Sequence, residues 1–303
     1  MENVKKILIT GASGLIGSRL TEMLIEHGHH VAHLGRTKKE GAVKSYVWNI
    51  EENQVEAGAL EDIDTIIHLA GAGVADKPWT KARKREILES RTHSTRLLFD
   101  TLTNGKHTVR SFISASAVGY YGFERNDEVF TENSPPGNDF LATVVKQWEN
   151  EVDAIQTLGI RVVKIRVGIV LSEKAGVLKE IMKPVKFYIG APLGSGDQYI
   201  SWIHLDDLCN IFICAVENPV LRGPYNATAP APVTNRQLTQ TIARSLHKPL
   251  LFPAVPSFAL KLFLGEMAGI VLNGSQVSSE KIRQAGFQFR FTTVGDAVNA
   301  LTS

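Results

Sequence analysis

Residues 5–28 read KKILITGASGLIGSRLTEMLIEHG, and this stretch decides the fold. Its first six residues are a short apolar run rich in β-formers that ends at a glycine, the pattern of a buried strand. Ile16, Leu20 and Leu24 then recur at helical spacing until Gly28 stops them. Between strand and helix stand Gly11, Gly14 and Gly17, a G-x-x-G-x-x-G pattern. Strand, glycine turn and helix together let backbone approach a pyrophosphate, which then sits on free N–H groups at the helix N-terminus.

Outward from there the chain alternates. Residues 30–36 and 64–73 read as strands, about 80–102 as a long helix, 109–116 as a strand, 141–156 as a helix and 160–171 as a strand. Strands alternating with helices predict a parallel sheet covered on both faces, an α/β doubly wound fold of the Rossmann type. After residue 171 the rhythm breaks. GAPLGSGDQ (190–198) leads into YISWIHLDDLCNIFICAVEN (199–218), a strand followed by a helix, and GPYNAT (223–228) reads as one more core strand. Residues 229–303 are proline-rich and then helical. The expected division is therefore interleaved. Residues 1–168 plus about 199–228 form a cofactor-binding domain, and about 169–198 plus 229–303 form a smaller, mostly helical lobe on the substrate side.

The chain has 303 residues, 44% hydrophobic, 21% charged and 8% aromatic, with a formal charge of +2. That is ample for a large core and supplies no whole-protein argument for a nucleic-acid or membrane partner. Cys209 and Cys214 are too few for a disulfide framework, and the chain runs into its first strand with no signal segment, so a reducing, cytoplasmic setting is expected. The most apolar late stretch, 254–272, is interrupted by Lys261 and Glu266 and reads as an amphipathic helix rather than a membrane span. His27, His29, His30 and His33 straddle a helix end and a strand with no cysteine or carboxylate pattern around them, so no metal is expected.

The end of the second strand selects the cofactor. A carboxylate there would hold the ribose 2′-OH of NAD. This chain has Leu34, Gly35 and Arg36, then Lys38 and Lys39, and no acid. Arg36 can make paired, charge-assisted bonds to a 2′-phosphate, which favours NADP(H) over NAD(H); the competing reading is a solvated basic turn.

GASGLIG, IIHLAGAG, FISASAVGYYG and WIHLDDL resemble the extended short-chain dehydrogenases, the NAD(P)-dependent epimerase/dehydratase group. ESRTHSTRLL, WEN, GAPLGSGDQYISWIHLDDL and the tail SSEKIRQAGFQF narrow the resemblance to an epimerase-like subgroup with its own small C-terminal domain. The resemblance spans nearly the whole chain. It implies that Gly11, Ser13, Gly14, Leu15, Ile16 and Gly17 hold phosphates, and that Gly35 and Arg36 meet a 2′-phosphate. It implies that Leu69, Ala70 and Gly71 flank the adenosine ribose and that Ile169 lines the nicotinamide side. Glu86 and Arg91, on the long helix, can approach the cofactor or form a surface ion pair. Asn49 stands where the subgroup usually has aspartate.

The same resemblance exposes a gap. These enzymes use a serine, a tyrosine and a lysine together, with the tyrosine exchanging the proton. Ser116 matches the serine. Leu141 and Val145, or Ala142 and Lys146 one residue on, stand at the Tyr-x-x-x-Lys places, so the tyrosine is missing in either register. Tyr120 and Tyr121 are the remaining candidates for the proton donor, or they pack against substrate without donating. Gln198, Trp202 and His204 fall where the family places its substrate cleft, and Trp79 and Trp202 offer rings that can stack on a planar or sugar ring, or else pack in core or interface. Two functions follow as expectations. One is an NADP(H)-dependent enzyme transferring a hydride to or from a small carbonyl, alcohol or sugar-derived substrate. The other is a non-catalytic NADP(H)-binding regulator read by a protein partner.

Overall fold

The computed structural model describes residues 4–122 and 128–302. Residues 1–3 and 303, the ends of the two expected regions, lie outside them. The first half of the chain builds β1 (Lys6–Thr10), α1 (Leu15–Glu26), β2 (His30–Gly35), β3 (Lys44–Asn49), β4 (Gln54–Val55), β5 (Thr65–His68), α2 (Lys81–Asn104) and β6 (Ser111–Ala117). Then come β7 (Val129–Phe130), α3 (Phe140–Ala154), β8 (Arg161–Val167), β9 (Ile169–Leu171), α4 (Val177–Lys186), β10 (Tyr199–Ile200), β11 (Trp202–His204), α5 (Leu205–Glu217) and β12 (Gly223–Ala227). The last part holds β13 (Val233–Thr234), α6 (Asn235–Ser245), α7 (Ser257–Leu264), α8 (Ala268–Leu272), β14 (Gln276–Val277), α9 (Glu280–Gln284) and α10 (Val294–Thr302).

The central sheet has eight strands in the order β12-β8-β6-β5-β1-β2-β3-β4. Its neighbours run parallel except β4, which turns back antiparallel on β3. From β1 the order grows both ways, so the switch point lies between β1 and β5, and a ligand crevice opens beyond their C-terminal ends. The apolar run of β1 serves both faces. Ile7 and Ile9 join Leu20, Leu24, Ile211 and Phe212 on one side. Leu8 joins Ile66, Leu97, Phe112 and Trp148 on the other. A continuous hydrophobic strand is what a doubly covered sheet requires. A third core gathers Leu171, Leu178, Trp202, Leu238, Phe291 and Val298 from the later elements.

Two expectations change in detail. The run 160–171 is not one strand: it breaks at Gly168, and β9 leaves the main sheet to pair with β11. A Cβ at Gly168 would lie 2.4 Å from the Ser201 carbonyl oxygen, so the crossing of the two segments demands glycine. The edge strands β3 and β4 carry the sheet further than the sequence reading did.

Candidate cofactor site and the buried charge cluster beside it

The glycine turn is built by close backbone approach. Gly11 has φ +69°, and a Cβ on it would lie 2.8 Å from the Leu69 carbonyl carbon, so the turn packs on the segment leaving β5. A Cβ at Gly17 would lie 2.5 Å from the Gly11 oxygen. Gly14 is different: it is exposed, and a Cβ there meets only that oxygen, at 3.3 Å. Gly14 is also the N-cap of α1, with no side chain bonded to the first-turn N–H groups. Ser13 is exposed beside it, while Leu15 and Ile16 are half-buried. The residues present therefore fit a dinucleotide pyrophosphate: an uncapped helix start faces space that a side chain at Gly14 would fill.

The turn is braced from below by a residue the sequence reading passed over. His68, at the end of β5, is fully buried and bonds Thr10 Oγ1 through Nδ1 at 2.8 Å. Its Nε2 meets Ser94 Oγ and Thr95 Oγ1 of α2. Burial, helped by the charge of Arg91, pushes its pKa down to about 3, so the ring is neutral. Thr10 Oγ1 accepts from the Leu69 and Ala70 N–H groups. The Ala72 N–H donates to Ser90 Oγ. Leu69, Ala70 and Gly71 are thus held in place between β1 and α2. The signal was there in IIHLAGAG, where a polar ring closes an otherwise apolar strand.

Arg91 packs on that segment. A Cβ at Gly71 would come 3.1 Å from Arg91 Cζ. Arg91 donates to the Ile87 carbonyl at 2.9 Å and lies 5.4 Å over the Trp148 ring. Among the described residues it has no carboxylate partner. Burial, then the charge of Arg83, lowers its pKa to about 10, so it remains a cation at neutral pH. Glu86 does not join it. Glu86 accepts from Arg83 Nη1 at 2.7 Å, and that bond holds its carboxyl below the usual range, with Arg36 adding a small pull. Five residues apart on α2, the two side chains lie on different faces. Arg36 is exposed at the end of β2 and forms no ion pair among the described residues, whereas Lys38 pairs with Glu56 at 2.7 Å. Gly35 and Ile169 are half-buried. Asn49 turns away, its Oδ1 accepting from the N–H groups of Glu51 and Glu52.

The substrate-side residues divide. Trp79 is half-buried, donates to the Val74 carbonyl at 2.9 Å and meets Phe140 edge-on at 4.9 Å. The other three are buried. Trp202 is completely buried and donates to the Ala231 carbonyl. Gln198 is buried, its Nε2 bonded to the carbonyls of Leu193 and Val271. His204 caps α5 by accepting from the Asp206 N–H, and its ring lies 3.9 Å from that of Phe291. Asp207, next in the motif, accepts from the N–H groups of Arg290 and Phe291. Trp202 and Gln198 Nε2 thus bond carbonyls of later segments, while Gln198 Oε1 is buried with no hydrogen-bond partner among the described residues.

Two of the catalytic candidates have buried side-chain partners. Ser116 is buried and donates to Glu149 Oε1 at 2.6 Å. Glu149 also receives Arg166 through two bonds, Nε to Oε1 at 2.8 Å and Nη2 to Oε2 at 3.0 Å. Lys164 Nζ lies 3.1 Å from Glu149 Oε2 and bonds Asp153 at 2.8 Å. Tyr121, only 2% exposed, donates to Asn226 Oδ1 at 2.6 Å and accepts from Arg166 Nη1 at 3.0 Å. Burial pushes its pKa up to about 12 against the opposing pull of Arg166. Tyr121 is therefore placed as a strut between Asn226 and Arg166. Tyr120 stays half-buried, with the Arg166 guanidinium 3.5 Å from its ring centre.

On α3, a Cβ at Gly119 would touch Leu141 and Val145, so these two face the turn after β6. Ala142 is buried, and Lys146, one turn further along α3, is exposed. The cluster was legible as VVKIRV, two cations in a strand due for burial, and the acid of WEN; the pairing between them was not. Tyr121→Phe should cost about 1–3 kcal/mol of unfolding free energy, because it leaves Asn226 and Arg166 short of a buried partner. Denaturant unfolding checks this, and an unchanged midpoint would remove Tyr121 from the strut role. Among the described residues no group of histidine, cysteine, aspartate and glutamate is arranged to hold a metal ion, and no helix is long and apolar enough to cross a membrane.

A glycine turn at the switch point of a doubly wound, mostly parallel sheet, followed by a cation with no ion pair among the described residues, defines a dinucleotide-binding fold of the extended short-chain dehydrogenase type. The profile of the NAD dependent epimerase/dehydratase family matches residues 7–227, and that of a domain of unknown function (DUF1731) matches residues 255–301. The chain belongs to the NAD-dependent epimerase/dehydratase family. The epimerase family protein YfhF of Bacillus subtilis is 38% identical over 298 residues, 97% of each chain. The crystal structure of human epimerase family protein SDR39U1 with NADPH is similar at a TM-score of 0.88 and 28% identity, covering 98% of this chain and 99% of that one. UDP-glucuronic acid 4-epimerase from Bacillus cereus, with UDP-glucuronic acid and NAD, matches at a TM-score of 0.80 and 16% identity over 98% of both chains, a likeness of fold alone.

Proposed function

We propose that this protein binds NADP(H) and acts as an epimerase-like oxidoreductase on a small carbonyl, alcohol or sugar-derived substrate. The observation that carries the proposal is Arg36, an exposed cation without an ion pair among the described residues, standing at the end of β2, whose neighbour β1 leads into the uncapped N-terminus of α1. On this reading Ser13, Gly14, Leu15 and Ile16 hold the pyrophosphate and Arg36 the 2′-phosphate, with Gly35 leaving room for it. Leu69, Ala70 and Gly71 border the adenosine ribose, Arg91 adds charge behind them, and Ile169 borders the nicotinamide. The nicotinamide, when bound, supplies or accepts the hydride. Trp79 borders the substrate side. Of the two tyrosines, Tyr120 remains the candidate to donate a proton, since Tyr121 is tied into the buried cluster. Residues 1–168 with about 199–228 form the cofactor domain in this proposal, and the rest the substrate lobe. The NADPH-bound human relative supports the choice of cofactor.

Arg36→Ala is expected to weaken NADPH binding roughly tenfold or more and to spare NADH, from a loss of about 1.5–3 kcal/mol for a charged partner. Fluorescence titration with both cofactors measures it, and equal affinities in the unmutated protein would overturn the proposal. A second reading, a non-catalytic NADP(H)-dependent regulator, is favoured by Leu141 and Val145 facing the turn where the family carries tyrosine and lysine. Loss of NADPH absorbance in a screen of carbonyl compounds separates the two.

A further inference from the structure

An apolar surface is formed by α7 and the segments beside it. Helix α7 has no buried residue along its whole length. Phe258, Leu262 and Phe263 are 74%, 80% and 83% exposed. Phe187 and Ile189, just past α4, are 77% and 59% exposed, and Leu251 is 66% exposed. These segments adjoin. Gly194 N–H donates to the Val255 carbonyl and Val255 N–H to the Pro192 carbonyl, while Lys248 Nζ bonds the Tyr188 hydroxyl at 2.7 Å. Soluble proteins rarely leave a patch of this kind uncovered unless something binds it.

The charge around the patch says what. Segments 182–196 and 248–264 contain Lys183, Lys186, Lys248 and Lys261 and no aspartate or glutamate; of the acids just outside them, Glu180 pairs with Lys183 and Glu266 with Lys84, and Asp197 adjoins. Lys183 is paired with Glu180, which leaves the other three without an acid among the described residues. A second copy of this chain would bring lysines against lysines. Phe187, Ile189, Phe258, Leu262 and Phe263 are each more than half exposed, which suits insertion into a soft surface.

We infer that this face docks on an anionic lipid bilayer. The phenylalanine and leucine side chains of α7 and the Phe187–Ile189 turn enter the headgroup boundary, and the lysines meet acidic headgroups. The contact is peripheral and rests on none of the cofactor residues. It revises the expectation of no membrane partner, which whole-chain charge could not test because the cations are local.

The test is flotation of the full chain with vesicles of phosphatidylcholine alone or mixed equally with phosphatidylglycerol. Binding is expected on the mixed vesicles at low salt, and at least about tenfold less on phosphatidylcholine alone or at high salt. Each lysine should account for about a fivefold change, so Lys186→Gln, Lys248→Gln and Lys261→Gln together should weaken binding on the order of a hundredfold. Phe258→Ser with Phe263→Ser should abolish flotation while NADPH titration and the unfolding curve stay as in the parent, which shows that the fold is kept. No flotation on acidic vesicles, equal flotation on neutral ones, or undiminished flotation of the phenylalanine variant would each overturn the inference. So would sedimentation showing a dimer that the same variant abolishes, in a protein that ignores vesicles.

Discussion

Glu149→Gln is expected to lower the unfolding free energy by about 3–5 kcal/mol, with little change in side-chain volume. The carboxylate sits among two buried cations, Arg166 and Lys164, and accepts the Ser116 hydroxyl. Removing its charge strands Arg166 in a medium that solvates it poorly and leaves Lys164 with Asp153 alone, and this is the origin of the cost. Glu149→Met combined with Arg166→Met should recover most of the loss, because an apolar pair of similar volume leaves no uncompensated charge and Lys164 keeps Asp153. Urea unfolding of the two variants measures the difference; equal losses in both would refute the charge argument.

The cluster also fixes the direction of an acid effect. Burial pushes the Glu149 carboxyl up, but the bond and charge of Arg166, the charge of Lys164 and the Ser116 bond outweigh it, so the folded value lies below the ordinary one. A depressed carboxyl stabilises fully above the unfolded value of about 4.3 and loses that contribution as pH falls through the lower folded value. The gap between the parent and Glu149→Gln should therefore close in acid, below about pH 4.3, and stay constant above it.

Gly14→Val is expected to abolish NADPH binding, by a factor on the order of a hundred or more, in a protein that still folds. Its φ of −76° and ψ of 173° suit any residue, and its Cβ would crowd only the Gly11 oxygen, at 3.3 Å. The side chain would instead occupy the approach to the first N–H groups of α1, where the phosphate must sit. Gly17→Val is the contrasting variant. Its Cβ would fall 2.5 Å from the Gly11 oxygen and 2.6 Å from Ala12 Cα, so the turn itself must open and stability should fall as well. Titration of both, with thermal unfolding alongside, distinguishes a filled site from a broken one. Unchanged NADPH affinity in a folded Gly14→Val protein would show that the phosphate site lies elsewhere.

How much of this could be read beforehand depended on distance along the chain. The strand, turn and helix of residues 5–28 are adjacent, so period and glycine spacing were enough to place them, and the acid-free end of β2 was legible by the same local logic. GPYNAT as a core strand was legible too: β12 pairs with β8 at the sheet edge. The break at Gly168 was not, because nothing within residues 160–171 announces that Ser201 will pass within reach of that backbone. The local apolar pattern is the same for one strand or two.

By itself the sequence determined the doubly wound sheet, the glycine turn at its switch point and the absence of tyrosine from the helix where the family carries it. Each is a matter of residue type at short range. Only the tertiary structure decided what the remaining polar residues do. Ser116 and Tyr121 lie 33 and 105 positions from the partners they bond, Glu149 and Asn226. Gln198 is bonded to a carbonyl 73 positions away, and Arg166 reaches a carboxylate 17 positions back on a helix packed across the sheet. A buried hydrogen-bonding group must find a partner wherever the fold supplies one. Its role is therefore set by which distant groups folding brings within 3 Å, and spacing along the chain does not encode that.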